Sequence, residues 1–219
     1  MILTHPYEAQ GREMVATQIR ARGIRDERVL EAMCLVPRHE FVPADQTPAA
    51  YHDRPLPIGE RETISQPYMV AAMTQAARLE PGDKALEVGA GSGYQAAILA
   101  QMGATVYAIE INSHLAQEAR ERLARLGYTS VEVFAGDGSE GLSLHAPYDV
   151  IIVSAAAPRV SPVLLGQLAE GGRLVAPVGT LRHQEVVVLT KDGGQITTER
   201  LDACQFIPLR GRGGWQEGQ

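Results

Sequence analysis

The segment Leu86-Glu87-Val88-Gly89-Ala90-Gly91-Ser92-Gly93 constrains this chain more than any other. A short apolar run leads into glycines separated by single residues, and a helix over 95–102 follows directly. Glycine adopts positive φ readily and lets a ligand come close to the backbone. A helix starting behind such a turn presents free N–H groups to a polar or anionic ligand. The unit therefore reads as strand, binding turn, helix. Its spacing discriminates further: a dinucleotide fingerprint, G-x-G-x-x-G, requires glycine at position 94. Tyr94 stands there instead, and the last glycine comes one residue earlier.

The segments around this unit extend the pattern. Strands are expected at 85–88, 105–109, 131–134 and 150–153, helices at 114–126 and 163–168, and an extended segment at 173–177. Strand–helix alternation with wholly apolar strands predicts a parallel, doubly wound sheet. After Gly179 the pattern changes to successive strands at 185–190, 195–201 and 204–208, with Lys191-Asp192-Gly193-Gly194 as a hairpin turn. Upstream, residues 8–34 read as two amphipathic helices separated by Gly23, the second capped by Asp26. Prolines 37, 43, 48, 55 and 57 then interrupt all periodicity and predict a long loop to residue 66, of the kind that often carries function. A helix over 67–79 places Met69, Ala72, Met73 and Ala76 on one face. The expected architecture is α/β, doubly wound and Rossmann-like, with a mostly parallel central sheet, an N-terminal helical extension and C-terminal β-strands. Residues 1–80 pack as helices and loop on an 81–210 α/β core to form one unit, and the glycine-rich 211–219 is expected to be a flexible tail.

Composition excludes several classes. Twenty basic and 26 acidic side chains give a net charge of −6, against a broad electrostatic grip on nucleic acid. Arg12, Arg20, Arg22, Arg25 and Arg28 cluster, but Glu13, Asp26 and Glu27 are interspersed, as on a solvated helix face. No signal-type apolar segment or run of membrane-spanning length is present. Cys34 and Cys204 form no disulfide framework or metal-ligand spacing, and the six histidines are scattered, so no metal site is expected. A reduced, cytoplasmic setting fits, and a single acidic unit favours a monomer.

In a doubly wound sheet, ligands sit outside the carboxyl ends of the strands. Gly89, Gly91 and Gly93 follow the first core strand. Glu110 ends the second, placed to accept hydrogen bonds from vicinal ribose hydroxyls; Asp137 of Gly136-Asp137-Gly138 follows the third, placed to accept from an exocyclic amine. Each has an ordinary alternative: Glu110 as an acidic residue favoured near a helix N-terminus, Asp137-Gly138 as a simple turn. Their occurrence at successive strand ends favours a nucleoside site. G-x-G-x-G behind an acidic residue resembles the first motif of S-adenosylmethionine methyltransferases. An acidic residue at the second strand end would also suit NAD, but the glycine spacing and Asp137 favour S-adenosylmethionine.

The acceptor side is more specific. Tyr51-His52-Asp53-Arg54-Pro55-Leu56-Pro57-Ile58-Gly59, followed by Thr63-Ile64-Ser65-Gln66-Pro67-Tyr68, resembles the N-terminal signature of the protein-L-isoaspartate O-methyltransferases. The resemblance runs from about residue 8 to 210 and takes in Ala155-Ala156-Ala157-Pro158, Gly171-Gly172-Arg173-Leu174 and Phe206-Ile207-Pro208-Leu209. It implies transfer of the S-adenosylmethionine methyl group to the α-carboxylate of L-isoaspartyl residues in damaged proteins and peptides. It also implies Ser65 as the active-site serine, with cofactor contacts from Thr63, Ile64, Glu87, Gly89, Ala90, Gly91, Ser92, Gly93, Glu110, Ile111, Asp137 and Gly138.

The residues make chemical sense of this. A carboxylate is already ionised at neutral pH, so no strong general base is needed; positioning and desolvation are what remain. Ser65 precedes a helix, where its hydroxyl and neighbouring N–H groups would hold the acceptor, with Gln66 beside it; serine at that position is equally a helix N-cap. Ile58 and Tyr68 either shape the peptide groove or pack in the core. Arg210 stands where many relatives have a hydroxyl or apolar residue, and would pair with a peptide carboxylate or point into solvent. Two rivals lack support: a nucleic-acid methyltransferase, since Ser154-Ala155-Ala156-Ala157-Pro158 replaces the expected catalytic motif, and a non-catalytic cofactor binder. A specialised peptide or small carboxylate acceptor on the same fold remains the alternative.

Overall fold

The computed structural model describes residues 6–215. Helix α1 (Pro6–Met14) continues through a π-helical turn, Val15–Ile19, and a 3-10 turn, Arg20–Arg22, and stops at Gly23 with φ 104°. That left-handed conformation favours glycine, which is why the helix ends there. Helix α2 (Glu27–Leu35) begins at Asp26, whose carboxylate accepts from the Arg28 backbone N–H at 2.9 Å. The short strands β1 (Leu56–Gly59) and β2 (Glu62–Ile64) lead into α3 (Pro67–Ala77).

The core then alternates: β3 (Lys84–Val88), α4 (Tyr94–Gln101), β4 (Thr105–Glu110), α5 (Ser113–Arg125), β5 (Val131–Ala135), β6 (Tyr148–Val153) and α6 (Pro162–Gly166), followed by β7 (Leu168–Gly179), β8 (Gln184–Asp192) and β9 (Gln195–Cys204). These strands form one seven-stranded sheet in the order β5-β4-β3-β6-β7-β8-β9. Pairs from β5 to β7 are parallel, and β7-β8 and β8-β9 are antiparallel. Helices cover both faces, so core strands have no solvent face and must be apolar throughout. Ala85, Val106, Ala108, Val150 and Ile152 pack on the side of α3 and α4, while Leu86, Val88, Ile109, Ile151 and Val153 pack on the other. The chain leaves β3 toward β4 and β5, then returns to β6 on the opposite side. That reversal opens a crevice at the carboxyl ends of β3, β4 and β6.

Three expectations need correction. Residues 37–66 are not a bare loop: Arg38–Phe41 and Ala44–Ala49 form 3-10 turns, and β1 and β2 pair as an antiparallel hairpin. The hairpin buries Leu56, Ile58 and Ile64, and its turn uses Glu60 and Arg61 at φ 51° and 62°. No separate strand spans 204–208. β9 runs unbroken to Cys204, and the following segment leaves the sheet to cross the crevice, where Ala156 N–H donates to the Ile207 carbonyl and Leu209 N–H to that of Ala156. The glycine-rich tail is anchored as far as it is described: Arg212 N–H donates to Asp137, Gly213 N–H to Ser139 Oγ and the Trp215 indole N–H to the Ala156 carbonyl, at 2.8, 2.8 and 3.1 Å. The remainder, 216–219, lies outside the described residues.

Behind the crevice, Gly141 sits at φ 71°, and a Cβ there would lie 2.3 Å from Gln167 Oε1. Buried Gln167 accepts from Leu142 N–H and donates to the Glu140 carbonyl. Gly141→Ala combines backbone strain with loss of those bonds, and should cost about 2 kcal/mol of stability in urea unfolding. An unchanged midpoint would show that Gln167 gives way freely.

Candidate active site

The crevice is a cleft open to solvent and walled by the end of β2, the glycine turn, the ends of β4 and β6, Gly138 and the strap 206–210. Gly89, Gly91 and Gly93 have φ of 85°, 51° and 86°, so each lies in the region that glycine tolerates best. A Cβ on Gly91 would come within 3.3 Å of Ile58. The absent side chain thus lets the hairpin close on the turn.

Two acidic side chains define the cleft electrostatically. Glu110 is 5% exposed; one carboxylate oxygen accepts from Gly91 N–H and the other from Asn112 N–H, both at 2.9 Å. Each oxygen keeps lone-pair capacity for a further donor. Glu87 is buried and receives the Ser154 hydroxyl at 3.1 Å on one oxygen, while its other oxygen has no hydrogen-bond partner among the described residues. Burial lifts its pKa to about 8; the Glu110 charge acts in the same sense and the Ser154 hydroxyl opposes it. A buried acceptor without a donor, beside a second carboxylate, fits a ligand that carries positive charge.

Asp137 is used differently from the sequence expectation. Its carboxylate accepts from the Ser139 N–H and hydroxyl at 3.0 and 2.6 Å and from Arg212 N–H at 2.8 Å. It caps the short turn Gly138–Glu140 and fastens the tail, while Gly138 lines the cleft in its place. Burial alone would raise its carboxyl, but the hydrogen bonds from Ser139 and Arg212 prevail and hold it below the usual range.

Ser65 lines the cleft and is not the cap of α3. Gln66 occupies the N-cap position without a side-chain cap bond. The capping acceptor comes from a distant loop: Asp53 Oδ1 receives Tyr68 N–H at 3.0 Å, and Oδ2 receives Gln66 Nε2 at 2.8 Å and Arg22 at 2.6 Å. Pro67 has no N–H, and the Met69 and Val70 N–H groups donate to the Gln66 carbonyl. The first-turn donors expected to hold an acceptor are therefore occupied. The Ser65 hydroxyl, by contrast, has no hydrogen-bond partner among the described residues.

The remaining expected site residues separate from the cleft. Gln66 is engaged with Asp53, and Ile58, on β1 of the hairpin, is buried against Gly91 of the glycine turn. Tyr68 faces the outer side of α3, its ring 3.5 Å below the Arg22 guanidinium carbon and its hydroxyl donating to Asp202 at 3.2 Å. Gly93 starts α4 and packs against Leu123 and Ala119. Thr63, Ile64, Ser65, Glu87, Gly89, Ala90, Gly91, Ser92, Glu110, Ile111 and Gly138 come together on the cleft wall. Val70, Met73, Ser154 and the strap Phe206–Arg210 join them without having been expected as a wall. Arg210 is exposed at the cleft mouth, where it pairs with Glu62. Cys34 and Cys204 are free and half-buried, and burial lifts the Cys204 thiol to about 11, which disfavours a nucleophilic thiolate.

Residues 9–214 match the family model for protein-L-isoaspartate(D-aspartate) O-methyltransferase (PCMT). A protein-L-isoaspartate O-methyltransferase from Koribacter versatilis is 54% identical over 202 residues, covering 92% of this chain and 91% of its own. One from Methanoculleus marisnigri is 52% identical over 211 residues, covering 96% of each chain. Among solved structures, a protein-L-isoaspartate O-methyltransferase superposes with a TM-score of 0.84 at 29% identity, covering 93% of this chain and 67% of that one. A putative Plasmodium falciparum enzyme of this type, in complex with S-adenosyl-L-homocysteine, superposes at 0.80 with 26% identity, covering 91% and 98%.

Proposed function

The chain belongs to the protein-L-isoaspartate(D-aspartate) O-methyltransferase family, and we propose that the cleft at the carboxyl ends of β3, β4 and β6 performs this reaction with Ser65 at the acceptor. The enzyme is an S-adenosylmethionine-dependent methyltransferase that esterifies the α-carboxylate of L-isoaspartyl residues in damaged proteins. The ester then collapses to a succinimide without further catalysis, and part of that reopens as normal aspartate.

The cleft fits the cofactor, whose sulfonium and ammonium groups are cationic, because it offers two acidic side chains, Glu87 and Glu110, and a buried Glu87 oxygen with no hydrogen-bond partner among the described residues. Glu87, Glu110, Ile111, Gly138 and the turn Gly89–Ser92 would hold it from the sheet side, and Thr63 and Ile64 from the hairpin. Bound there, S-adenosylmethionine supplies a methyl group on a sulfonium, an electrophile that needs no prior activation.

The chain's own work lies at the acceptor. The substrate carboxylate is ionised well below neutral pH and is itself the nucleophile. What the protein adds is orientation, worth several powers of ten when reacting atoms are held in line. Ser65 Oγ donates to one carboxylate oxygen and leaves the other facing the cofactor side. Val70, Met73 and the strap residues Phe206–Leu209 exclude water around it. The observation that carries this reading is the unpaired Ser65 hydroxyl on the same wall as the glycine turn. The free thiols of Cys34 and Cys204 suit a reducing cytoplasm, and no described helix is long and apolar enough to cross a membrane.

The test is methyl transfer from labelled S-adenosylmethionine to a matched peptide pair containing L-isoaspartate or L-aspartate. Base-labile label is expected on the isoaspartyl peptide alone. Label on neither, with cofactor still bound, would overturn the reading.

A further inference from the structure

Arg38 is wholly buried, yet the ion pairs among the described residues include none to it. A buried charge without a carboxylate partner is expensive, and most proteins avoid it. Its guanidinium is spent on backbone carbonyls instead. Nε donates to Ala50 at 2.8 Å and Nη2 donates to Ser65 at 2.7 Å. Nη1 is buried with no hydrogen-bond partner among the described residues, and the guanidinium carbon lies 4.8 Å from the centre of the Tyr94 ring, itself part of the cleft wall.

We propose that Arg38 is a positioning residue for the methyl transfer: by bridging the Ala50 and Ser65 carbonyls against Tyr94, it fixes the backbone from which the Ser65 hydroxyl projects into the cleft. The inference rests on the reading of Ser65 as the acceptor-binding group. Ser65 links β2 to α3, between Ile64, paired with Leu56 on β1, and Gln66, the N-cap of α3. On its C-terminal side Asp53 grips Gln66 and the first turn of α3. At Ser65 itself, the Arg38 guanidinium donates to the backbone carbonyl. The two carbonyls lie 12 and 27 residues from Arg38 in sequence, so one planar side chain ties together three segments distant in the chain. Arginine suits this because its donors diverge from a rigid plane and it stacks on a ring; lysine offers a single ammonium on a flexible stem.

The decisive comparison is Arg38→Lys, made in the full-length wild-type chain and in Ser65→Ala. In the wild-type background kcat for an isoaspartyl peptide should fall about 30-fold, with the dissociation constant for S-adenosylhomocysteine changed less than about threefold. In the Ser65→Ala background the same substitution should cost less than about threefold in kcat, because the group it positions is gone. An unchanged kcat for Arg38→Lys overturns the proposal, as does an equal loss in both backgrounds or a parallel loss of cofactor affinity, either of which marks general damage. If Ser65→Ala itself turns over normally, the acceptor reading falls and the proposal with it. If Ser65→Ala loses turnover while Arg38→Lys does not, only the Arg38 role falls. Arg38→Gln, which buries no charge, gives the same comparison should the lysine variant not fold.

Discussion

Replacing Ser65 with alanine lowers kcat for an isoaspartyl peptide about 100-fold, while affinity for S-adenosylhomocysteine stays within about threefold of wild type. The asymmetry follows from where the hydroxyl stands. It makes no hydrogen bond among the described residues, so removing it orphans no described partner and costs little stability. It does not cap α3, since Asp53 supplies the acceptor for that helix. What is lost is the donor that holds one acceptor oxygen while the other attacks. Peptide methylation kinetics together with calorimetric titration of the cofactor product separate the two quantities. An equal loss of turnover and cofactor affinity would reassign Ser65 to cofactor support. A fall in melting temperature with both preserved would return it to a structural role.

The parts of this site legible in the sequence are those whose geometry is local. The β3 strand, its glycine turn and α4 declare themselves because apolar continuity, glycine spacing and helix periodicity meet within about twenty residues. Glu110 is legible for the same reason, as the last residue of a readable strand. The hairpin β1–β2 was hidden because Glu60 and Arg61, not an Asn-Gly pair, take the left-handed conformations of its turn. Asp53 looked like one residue of a loop motif; its role as the cap of α3 exists only once that loop folds across fifteen residues to Tyr68. Arg38 lies in the proline-interrupted stretch that reads as a loop, and no local rule would bury it. The strap after β9 carries the composition of a strand, but its bridge partner is Ala156, just beyond the central strand β6. Fold class follows from periodicity, whereas the acceptor side of the cleft depends on contacts between segments far apart in the chain.

Glu87 gives the second large effect, seen in stability against pH. Its pKa rises from 4.5 to about 8 in the folded chain because burial disfavours the charged form. Between those values the folded state holds a proton that the unfolded state has released. The linkage sign is then fixed: this group's stabilising contribution is full below its unfolded pKa, and is lost as pH rises toward the folded one. The loss runs at about 1.4 kcal/mol per pH unit and amounts to a few kcal/mol across the window. Glu87→Gln keeps the shape, accepts the Ser154 hydroxyl and does not titrate, so its unfolding free energy should gain on wild type steadily from pH 5 to pH 8. Urea unfolding of both proteins at four pH values checks this, and a difference independent of pH would show that Glu87 is not protonated in the fold. The same proton couples stability to the cofactor. A cation bound beside Glu87 favours its ionised form, so wild-type affinity for S-adenosylhomocysteine should rise between pH 6 and 8, while that of Glu87→Gln stays flatter and weaker. A group that is costly to ionise in the free enzyme thereby becomes the acceptor that the cofactor's positive charge completes.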